Sequence, residues 1–124
     1  MTPENAVKKA VLDLLAAEHI FAFRLNTASM TATHNGKSRF FSAHSLGKGA
    51  ADIYCTPHCW IEPRGTQPVP TLGHLWIECK APGGTQSLDQ QVFQRWVIQH
   101  GHCYLLAYSS DDVLAWLRAN GRWA

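Results

Sequence analysis

The sequence predicts a single α/β domain in which a mixed β-sheet lies between helices. Apolar residues recur at helical spacing near both ends of the chain, and short β-prone runs lie between them. The resulting order is helix, three or four strands, helix, strand, helix. The length of 124 residues suits one domain, and the 46% share of apolar residues is enough for one core of two or three layers.

The first predicted element is an amphipathic helix over residues 3–18. Pro3 is tolerated in a first helical turn, and Thr2 is suited to the N-cap position. Apolar residues at helical spacing form the buried side of this helix. Lys8 and Lys9 are expected on or near the side that faces solvent.

Several strands are expected in the middle of the chain. β-prone composition and the hairpin turn signal Asn35-Gly36 predict three of them, at residues 20–25, 30–34 and 37–42. A glycine loop over residues 45–49 leads into a short strand over residues 52–55. Residues 62–73 contain three prolines and two glycines, and this composition predicts an exposed loop.

The second half of the chain carries the clearest signals. Residues 74–80 have the pattern of a strand, which a Pro-Gly-Gly turn ends. Ser87 and Gln90 form a capping box that opens a helix reaching Gln99. The buried stripe of this helix is expected to consist of Val92, Phe93, Trp96 and Val97. A last strand and a last helix complete the domain, over residues 103–108 and 110–120.

The composition excludes several classes of protein. A charged fraction of 16% argues against disorder, and a net charge of +2 does not by itself indicate a nucleic-acid binder. No apolar run approaches the roughly 18 residues of a membrane span, and the first residues lack the features of a signal peptide. We therefore expect no membrane association and a cytoplasmic location.

The four cysteines, Cys55, Cys59, Cys79 and Cys103, are expected to be reduced in that compartment. Cys55 and Cys59 flank His58 and could provide half of a zinc site, but no second pair follows at a zinc-finger spacing. A small zinc-binding interaction domain that uses these cysteines and two histidines is one alternative for the function.

The strand at residues 74–80 sets two charged side chains next to each other. Side chains alternate between the faces of a strand, so Glu78 and Lys80 share one face with Trp76. The apolar side chains of the other face are expected to pack inward: Leu75, Ile77 and Cys79. A carboxylate and an ammonium group then lie side by side at the end of the strand. A surface ion pair is the alternative explanation.

Asp52 adds a second carboxylate on an adjacent short strand, behind Gly47 and Gly49. Two carboxylates and a backbone carbonyl are hard oxygen ligands, which suit Mg²⁺ or Mn²⁺. A lysine beside such an ion can act on the attacking water and offset charge on a phosphate. The alternative for Asp52 is a turn cap after a glycine-rich segment.

These motifs resemble those of a known nuclease family. The segments that carry the likeness are Gly49-Ala50-Ala51-Asp52, Trp76-Ile77-Glu78-Cys79-Lys80 and Ser87-Leu88-Asp89-Gln90. They are similar to the PD-(D/E)xK superfamily, and more narrowly to the stand-alone VRR-NUC proteins of phages and bacteria. The likeness covers nearly the whole chain, with 25 residues between Asp52 and Glu78. The chain departs from the motif at Ala51, where proline is usual.

The resemblance implies an α/β fold of the PD-(D/E)xK restriction-endonuclease type. It also implies an endonuclease that needs Mg²⁺ or Mn²⁺ to hydrolyse DNA phosphodiester bonds. Asp52 and Glu78 would bind the metal together with the Cys79 backbone carbonyl. Lys80 would act on the nucleophilic water.

Two further residues receive roles from the resemblance. Gln90 would point back at the lysine or at the phosphate, although the capping box also explains this residue. Glu4 would reach the metal, directly or through a water, although an acid in a first helical turn is also favoured by the helix macrodipole.

Basic residues before the Asp52 strand are candidates for DNA contacts: Arg24, Lys37, Arg39 and Lys48. A hairpin that carries lysine and arginine could lie along a phosphate backbone. An ordinary solvated hairpin explains the same residues equally well.

The resemblance also implies a homodimer that selects branched DNA, in particular four-way (Holliday) junctions, in a bacterial or phage-infected host cell. A C2 dimer matches the approximate two-fold symmetry of such a junction. Trp96, Trp116 and Trp123 crowd the end of the chain, and aromatic surface left over from the core would favour an interface. A catalytically silent DNA-binding or scaffold module with a nuclease fold is a further alternative.

Overall fold

The computed structural model of the protein describes residues 1–25, 30–34, 37–41, 48–61 and 69–120. The helices are α1 (Pro3–Ala17), α2 (Leu88–Gln99) and α3 (Ser110–Asn120). The strands are β1 (Ala22–Arg24), β2 (Met30–His34), β3 (Lys37–Phe41), β4 (Ile53–Cys55), β5 (His58–Ile61), β6 (Val69–Leu72), β7 (Leu75–Cys79) and β8 (Cys103–Ala107). Helix α1 has the predicted start, because the Thr2 side chain accepts a hydrogen bond from the Asn5 backbone N–H and Pro3 opens the first turn.

A four-stranded sheet with the order β1-β4-β7-β8 forms the centre of the domain. β1 pairs with β4, and β4 with β7, in the antiparallel sense, whereas β7 and β8 are parallel. A parallel pair needs a crossover connection, and α2 provides it between β7 and β8. The predicted α/β class with a mixed sheet flanked by helices is confirmed.

Helices cover both faces of this sheet. On one face, Ile53, Leu75 and Ile77 pack with the buried residues of α1 and α3, which are Val11, Leu15, Val113 and Leu117. On the other face, Trp76 packs with Phe93 and Val97 of α2 and with two buried alanines, Ala50 and Ala51. All five residues of β7 are therefore buried. A charged side chain on this strand cannot be an ordinary surface group.

One prediction about secondary structure and one about solvent exposure are wrong. Residues 62–73 were expected as an exposed loop, but β6 occupies residues 69–72 and pairs with β5, with Pro70 opposite Trp60. Residues 62–68 lie outside the described part of the chain. Proline is tolerated there because each strand of a two-stranded sheet has an unpaired side. In α2, Phe93 and Val97 are buried as expected, whereas Val92 and Trp96 are exposed. The helix meets the sheet through one narrow stripe, and Val92 and Trp96 lie beside it.

The predicted hairpin is confirmed in its pairing, because β2 and β3 are antiparallel with His34 opposite Lys37. The Asn35-Gly36 turn and most of the glycine loop before Lys48 lie outside the described residues. Within the described part of the chain, no helix combines the length and the apolar character that crossing a membrane requires.

Candidate active site

The two predicted carboxylates meet at one end of the β4–β7 pair. Asp52 directly precedes β4, and the pairing of Ile53 with Ile77 sets Asp52 opposite Glu78. The backbone N–H of Cys79 donates a hydrogen bond of 2.8 Å to Asp52 Oδ2. Asp52 is thus fixed by the strand that carries Glu78, a stronger constraint than the turn cap proposed as its alternative role.

Both carboxylates are buried: Asp52 is 7% exposed and Glu78 is 2% exposed. Glu78 Oε1 accepts a hydrogen bond of 2.8 Å from Gln90 Nε2 and lies 3.7 Å from Lys80 Nζ. Glu78 Oε2 is buried and accepts no hydrogen bond from the described residues, whereas the Asp52 carboxylate lies close enough to Glu78 for a hydrogen bond when one of the two acids carries a proton. The surface ion pair offered as an alternative for Glu78 and Lys80 is therefore wrong.

Burial controls the acidity of this site. It raises the pKa of Glu78 from 4.5 to about 8, with the negative charge of Asp52 as the next largest cause and Lys80 acting in the opposite direction. Burial likewise raises the pKa of the Cys79 thiol to about 12, so this thiol stays protonated at neutral pH. The Glu78 carboxylate needs a proton or a cation at Oε2, and this requirement fits a metal ligand.

Helix α1 contributes two charged residues one turn apart. Lys8 Nζ lies 3.1 Å from Asp52 Oδ1, and Glu4 Oε1 lies 3.8 Å from Lys80 Nζ. The expectation that Lys8 faces solvent is wrong, since its side chain is 17% exposed. The signal was present in the spacing, because positions 4, 8, 11 and 15 recur at helical intervals and the last two are the buried Val11 and Leu15.

Gln90 makes both kinds of contact that the sequence left open. Its side-chain Oε1 accepts a 2.8 Å hydrogen bond from the Ser87 backbone N–H, and its backbone N–H donates a hydrogen bond to Ser87 Oγ. These two bonds complete the predicted capping box. Its Nε2 remains for Glu78 Oε1. The side chain reaches the site as predicted, but its contact there is Glu78.

Gly49 allows the segment before Asp52 to press against the first turn of α2. Its φ is +81°, a conformation that favours glycine. A Cβ atom at this position would lie 2.3 Å from the Asp89 carbonyl carbon and 2.6 Å from the Gln90 backbone nitrogen. The glycine thereby brings the start of α2, and with it Gln90, close to both carboxylates.

These groups line an open cleft of about 380 Å³. The charged and polar side chains in its wall are Glu4, Lys8, Lys48, Asp52, Glu78, Lys80, Ser87, Asp89 and Gln90. Of the predicted DNA contacts, Lys48 lines the cleft and Arg24 is exposed on β1. The side chains of Lys37 and Arg39 lie outside the described part of the structure.

Metal coordination by three protein side chains is not preformed. Across the described ranges, no three or more His, Cys, Asp or Glu side chains are grouped so that they could hold a metal ion. An ion bound here would rest on the two carboxylates, a backbone oxygen and ligands from water or substrate. Glu4 contacts Lys80 instead of joining the two carboxylates.

No family model, no curated protein and no solved structure matches the chain. The likeness of its motifs to VRR-NUC nucleases therefore stays a prediction, which the geometry of the site must support.

Proposed function

We propose that the protein is a Mg²⁺- or Mn²⁺-dependent endodeoxyribonuclease with a PD-(D/E)xK restriction-endonuclease-like fold of the VRR-NUC type. Its substrate is branched DNA, in particular the four-way junction. The observation that carries the proposal is the buried Glu78 carboxylate, which has an unpartnered oxygen beside Asp52 and Lys80 at an open cleft.

A purely structural role does not explain two neighbouring buried carboxylates. Burial of an ionised carboxylate costs several kcal/mol unless an opposite charge and hydrogen bonds compensate it. Lys8 faces Asp52 and Lys80 lies near Glu78 Oε1, but Glu78 Oε2 has no partner among the described residues. Without a metal, a proton on Glu78 satisfies this oxygen, because burial and the neighbouring Asp52 raise the pKa of Glu78 to about 8. A small divalent cation could take the place of that proton, and hard oxygen ligands are what Mg²⁺ and Mn²⁺ prefer.

Each residue of the site has its own role in hydrolysis. Asp52 and Glu78 would hold the ion, with the Cys79 carbonyl as a further ligand. When bound, such an ion would supply Lewis acidity toward a phosphate oxygen and the attacking water. Gln90 fixes the orientation of the Glu78 carboxylate through its 2.8 Å hydrogen bond. Lys80, 3.7 Å from Glu78, orients the water and offsets the charge that develops on the phosphate.

Phosphate contacts supply the affinity for DNA. Lys48 is exposed at the rim of the cleft and can meet the backbone beside the cleaved bond. Arg24 is exposed on β1, where it could contact a phosphate farther along the strand. Lys37 and Arg39 stay candidates for the same role from the β2–β3 hairpin.

A homodimer suits the junction substrate because one chain provides one cleft and a junction is cut on two strands. Leu88, Val92 and Trp96 are exposed on α2 at intervals of four residues and form an apolar stripe, in which Trp96 is 46% exposed. Trp116 packs against the core, and Trp123 lies outside the described residues. The α2 stripe is therefore the surface that we assign to a second copy of the chain.

The competing functions find less support. A zinc-binding domain would require Cys55, which is fully buried in the core, and Cys59, whose side chain lies outside the described part. A silent scaffold gains nothing from two buried acids and two lysines gathered at one open cleft. A cytoplasmic location stays a prediction.

Labelled four-way junction, flap and linear duplex DNA, incubated with and without Mn²⁺, would test the proposal. The wild-type protein should cut the junction only with the metal, and Asp52→Asn should reduce the rate by orders of magnitude while the fold survives. Asp13→Asn is the matched control, because Asp13 is an exposed acid in an ion pair with Lys9. Metal-independent cleavage, or an unchanged rate in Asp52→Asn, would refute the assignment.

A further inference from the structure

We propose that Lys8 occupies the place of the metal ion beside Asp52 while no metal is bound, and that it forms an ion pair with the Asp52 carboxylate in this state. When a divalent ion binds, Lys8 moves away from Asp52 and contacts a phosphate of the substrate. The inference rests on the proposed metal-dependent nuclease and assigns a positioning role to a residue that the motif does not include. It follows from the contacts of Asp52, the environment of the ion pair and the position of Lys8 in the cleft wall.

Both oxygens of Asp52 already have partners. Oδ2 accepts a hydrogen bond of 2.8 Å from the Cys79 backbone N–H, which ties the Asp52 side chain to the end of β7. Oδ1 faces Lys8 Nζ at 3.1 Å. The Oδ1 atom accepts no backbone hydrogen bond from the described residues, and the Lys8 ammonium group lies beside it.

The environment of this pair sets it apart from a surface salt bridge. The side chains of Lys8 and Asp52 are 17% and 11% exposed, respectively. The next lysine of the same helix, Lys9, pairs with Asp13 at 2.7 Å, but those side chains are 63% and 66% exposed. Water screens the exposed Lys9 pair more strongly than the Lys8 pair, which interacts in a medium of lower dielectric constant.

A divalent ion at Asp52 Oδ1 would repel the Lys8 ammonium group, which lies 3.1 Å from the same oxygen. This repulsion is stronger than for Lys80, which lies 3.7 Å from Glu78 Oε1. In this inference, metal binding displaces Lys8 from Asp52, and the loss of the ion pair weakens the apparent affinity for metal. In exchange, Lys8 keeps the carboxylate in place before the ion arrives. This arrangement also explains why Asp52 can remain buried next to Glu78.

The displaced ammonium group stays in the cleft. Its helix is anchored by the buried residues Val11 and Leu15, and its side chain lines the same wall as Lys48 and Lys80. A phosphodiester that enters the cleft offers the negative charge that Lys8 has lost. Lys8 therefore opposes metal binding and favours DNA binding, and these effects have opposite signs.

Titration calorimetry with Mn²⁺ tests the first half of this role. Lys8→Met should bind Mn²⁺ about tenfold more tightly than the wild type, which corresponds to about 1.4 kcal/mol. Lys8→Arg keeps the charge and should bind no more tightly than the wild type, and Lys9→Met should leave the affinity unchanged. Asp52→Asn should lose binding. Circular dichroism verifies that each variant is folded.

Fluorescence anisotropy with a labelled four-way junction in Ca²⁺ tests the second half. Lys8→Met should bind the junction more weakly, and the slope of log affinity against log salt should fall by about one. Lys9→Met again serves as the control. The opposite signs of the two effects separate this role from a structural one, in which a damaged fold would weaken both ligands.

The outcomes distinguish the inference from the function on which it rests. Unchanged or weaker Mn²⁺ binding by folded Lys8→Met, with binding still lost in Asp52→Asn, would refute the role of Lys8 and leave the metal site intact. Absence of Mn²⁺ binding in the wild type, Lys8→Met and Lys8→Arg would overturn both. Mn²⁺ binding that appears only in Lys8→Met would support the competition directly.

Discussion

Replacing Glu78 with glutamine should stabilise the metal-free protein in alkaline solution while it abolishes metal binding and cleavage. The substitution keeps the shape of the side chain and makes it permanently neutral, as the protonated acid is. Burial raises the pKa of Glu78 from 4.5 to about 8 in the folded protein, whereas in the unfolded chain it returns to its ordinary value.

The sign of the pH dependence follows from proton binding. Between pH 4.5 and about 8 the folded state holds a proton on Glu78 that the unfolded state has released. The free energy of unfolding therefore falls as the pH rises through this window, by about 1.4 kcal/mol per pH unit for one fully linked proton. Because Glu78 is only 2% exposed, screening by solvent has little effect on this fall in the free energy of unfolding. From pH 5.5 to 8 the loss should be roughly 3 kcal/mol.

Urea denaturation in the presence of EDTA, at several pH values from 5.5 to 8.5, measures this effect. Wild-type protein should lose stability across the series, and Glu78→Gln should lose much less and be the more stable protein at pH 8.5. Asp13→Asn, which removes an exposed carboxylate, should follow the wild type. Saturating Mn²⁺ should restore the stability of the wild type at pH 8.5 but leave Glu78→Gln unchanged. A flat wild-type profile, or a Glu78→Gln protein less stable than the wild type at pH 8.5, would refute the reasoning.

Three further predictions concern turnover, packing and assembly. Lys80→Ala should lower the single-turnover cleavage rate and leave the affinity for junction DNA in Ca²⁺ nearly unchanged; a parallel fall in affinity and in its salt dependence would make Lys80 a phosphate anchor instead. Gly49→Ala should lower the free energy of unfolding by about 2 kcal/mol more than Gly83→Ala, as measured by urea denaturation. Both glycines have positive φ, but of these two only a Cβ at position 49 would collide with backbone atoms. Equal losses would contradict the close approach of Gly49 to the start of α2. Trp96→Asp should convert a dimer into a monomer in light scattering, and a wild-type monomer at micromolar concentration would remove the dimer from the proposal.

The sequence by itself determined the elements whose signals are local. The helical spacing of α1, the capping box of α2 and the β-prone run of β7 are patterns within a few residues, and each element formed within one or two residues of its expected bounds. The sequence also placed Asp52 on a strand adjacent to that of Glu78, and β4 does pair with β7 in the structure. The pairing between β5 and β6 was not predicted, because the prolines of residues 62–73, Pro70 among them, favour a loop when that segment is considered alone.

Only the tertiary structure decided how the site is charged. Helices on both faces of the sheet bury β7 completely, and this burial turns Glu78 from a surface ion-pair candidate into an acid with a pKa of about 8. The contact between Lys8 and Asp52 joins a helix to a strand far apart in the chain. Periodicity identifies the face of a helix that is buried, but it does not reveal which side chain of another element that face will meet. Burial and long-range charge pairing depend on how the helices pack on the sheet, and for this reason they emerge only in the folded protein.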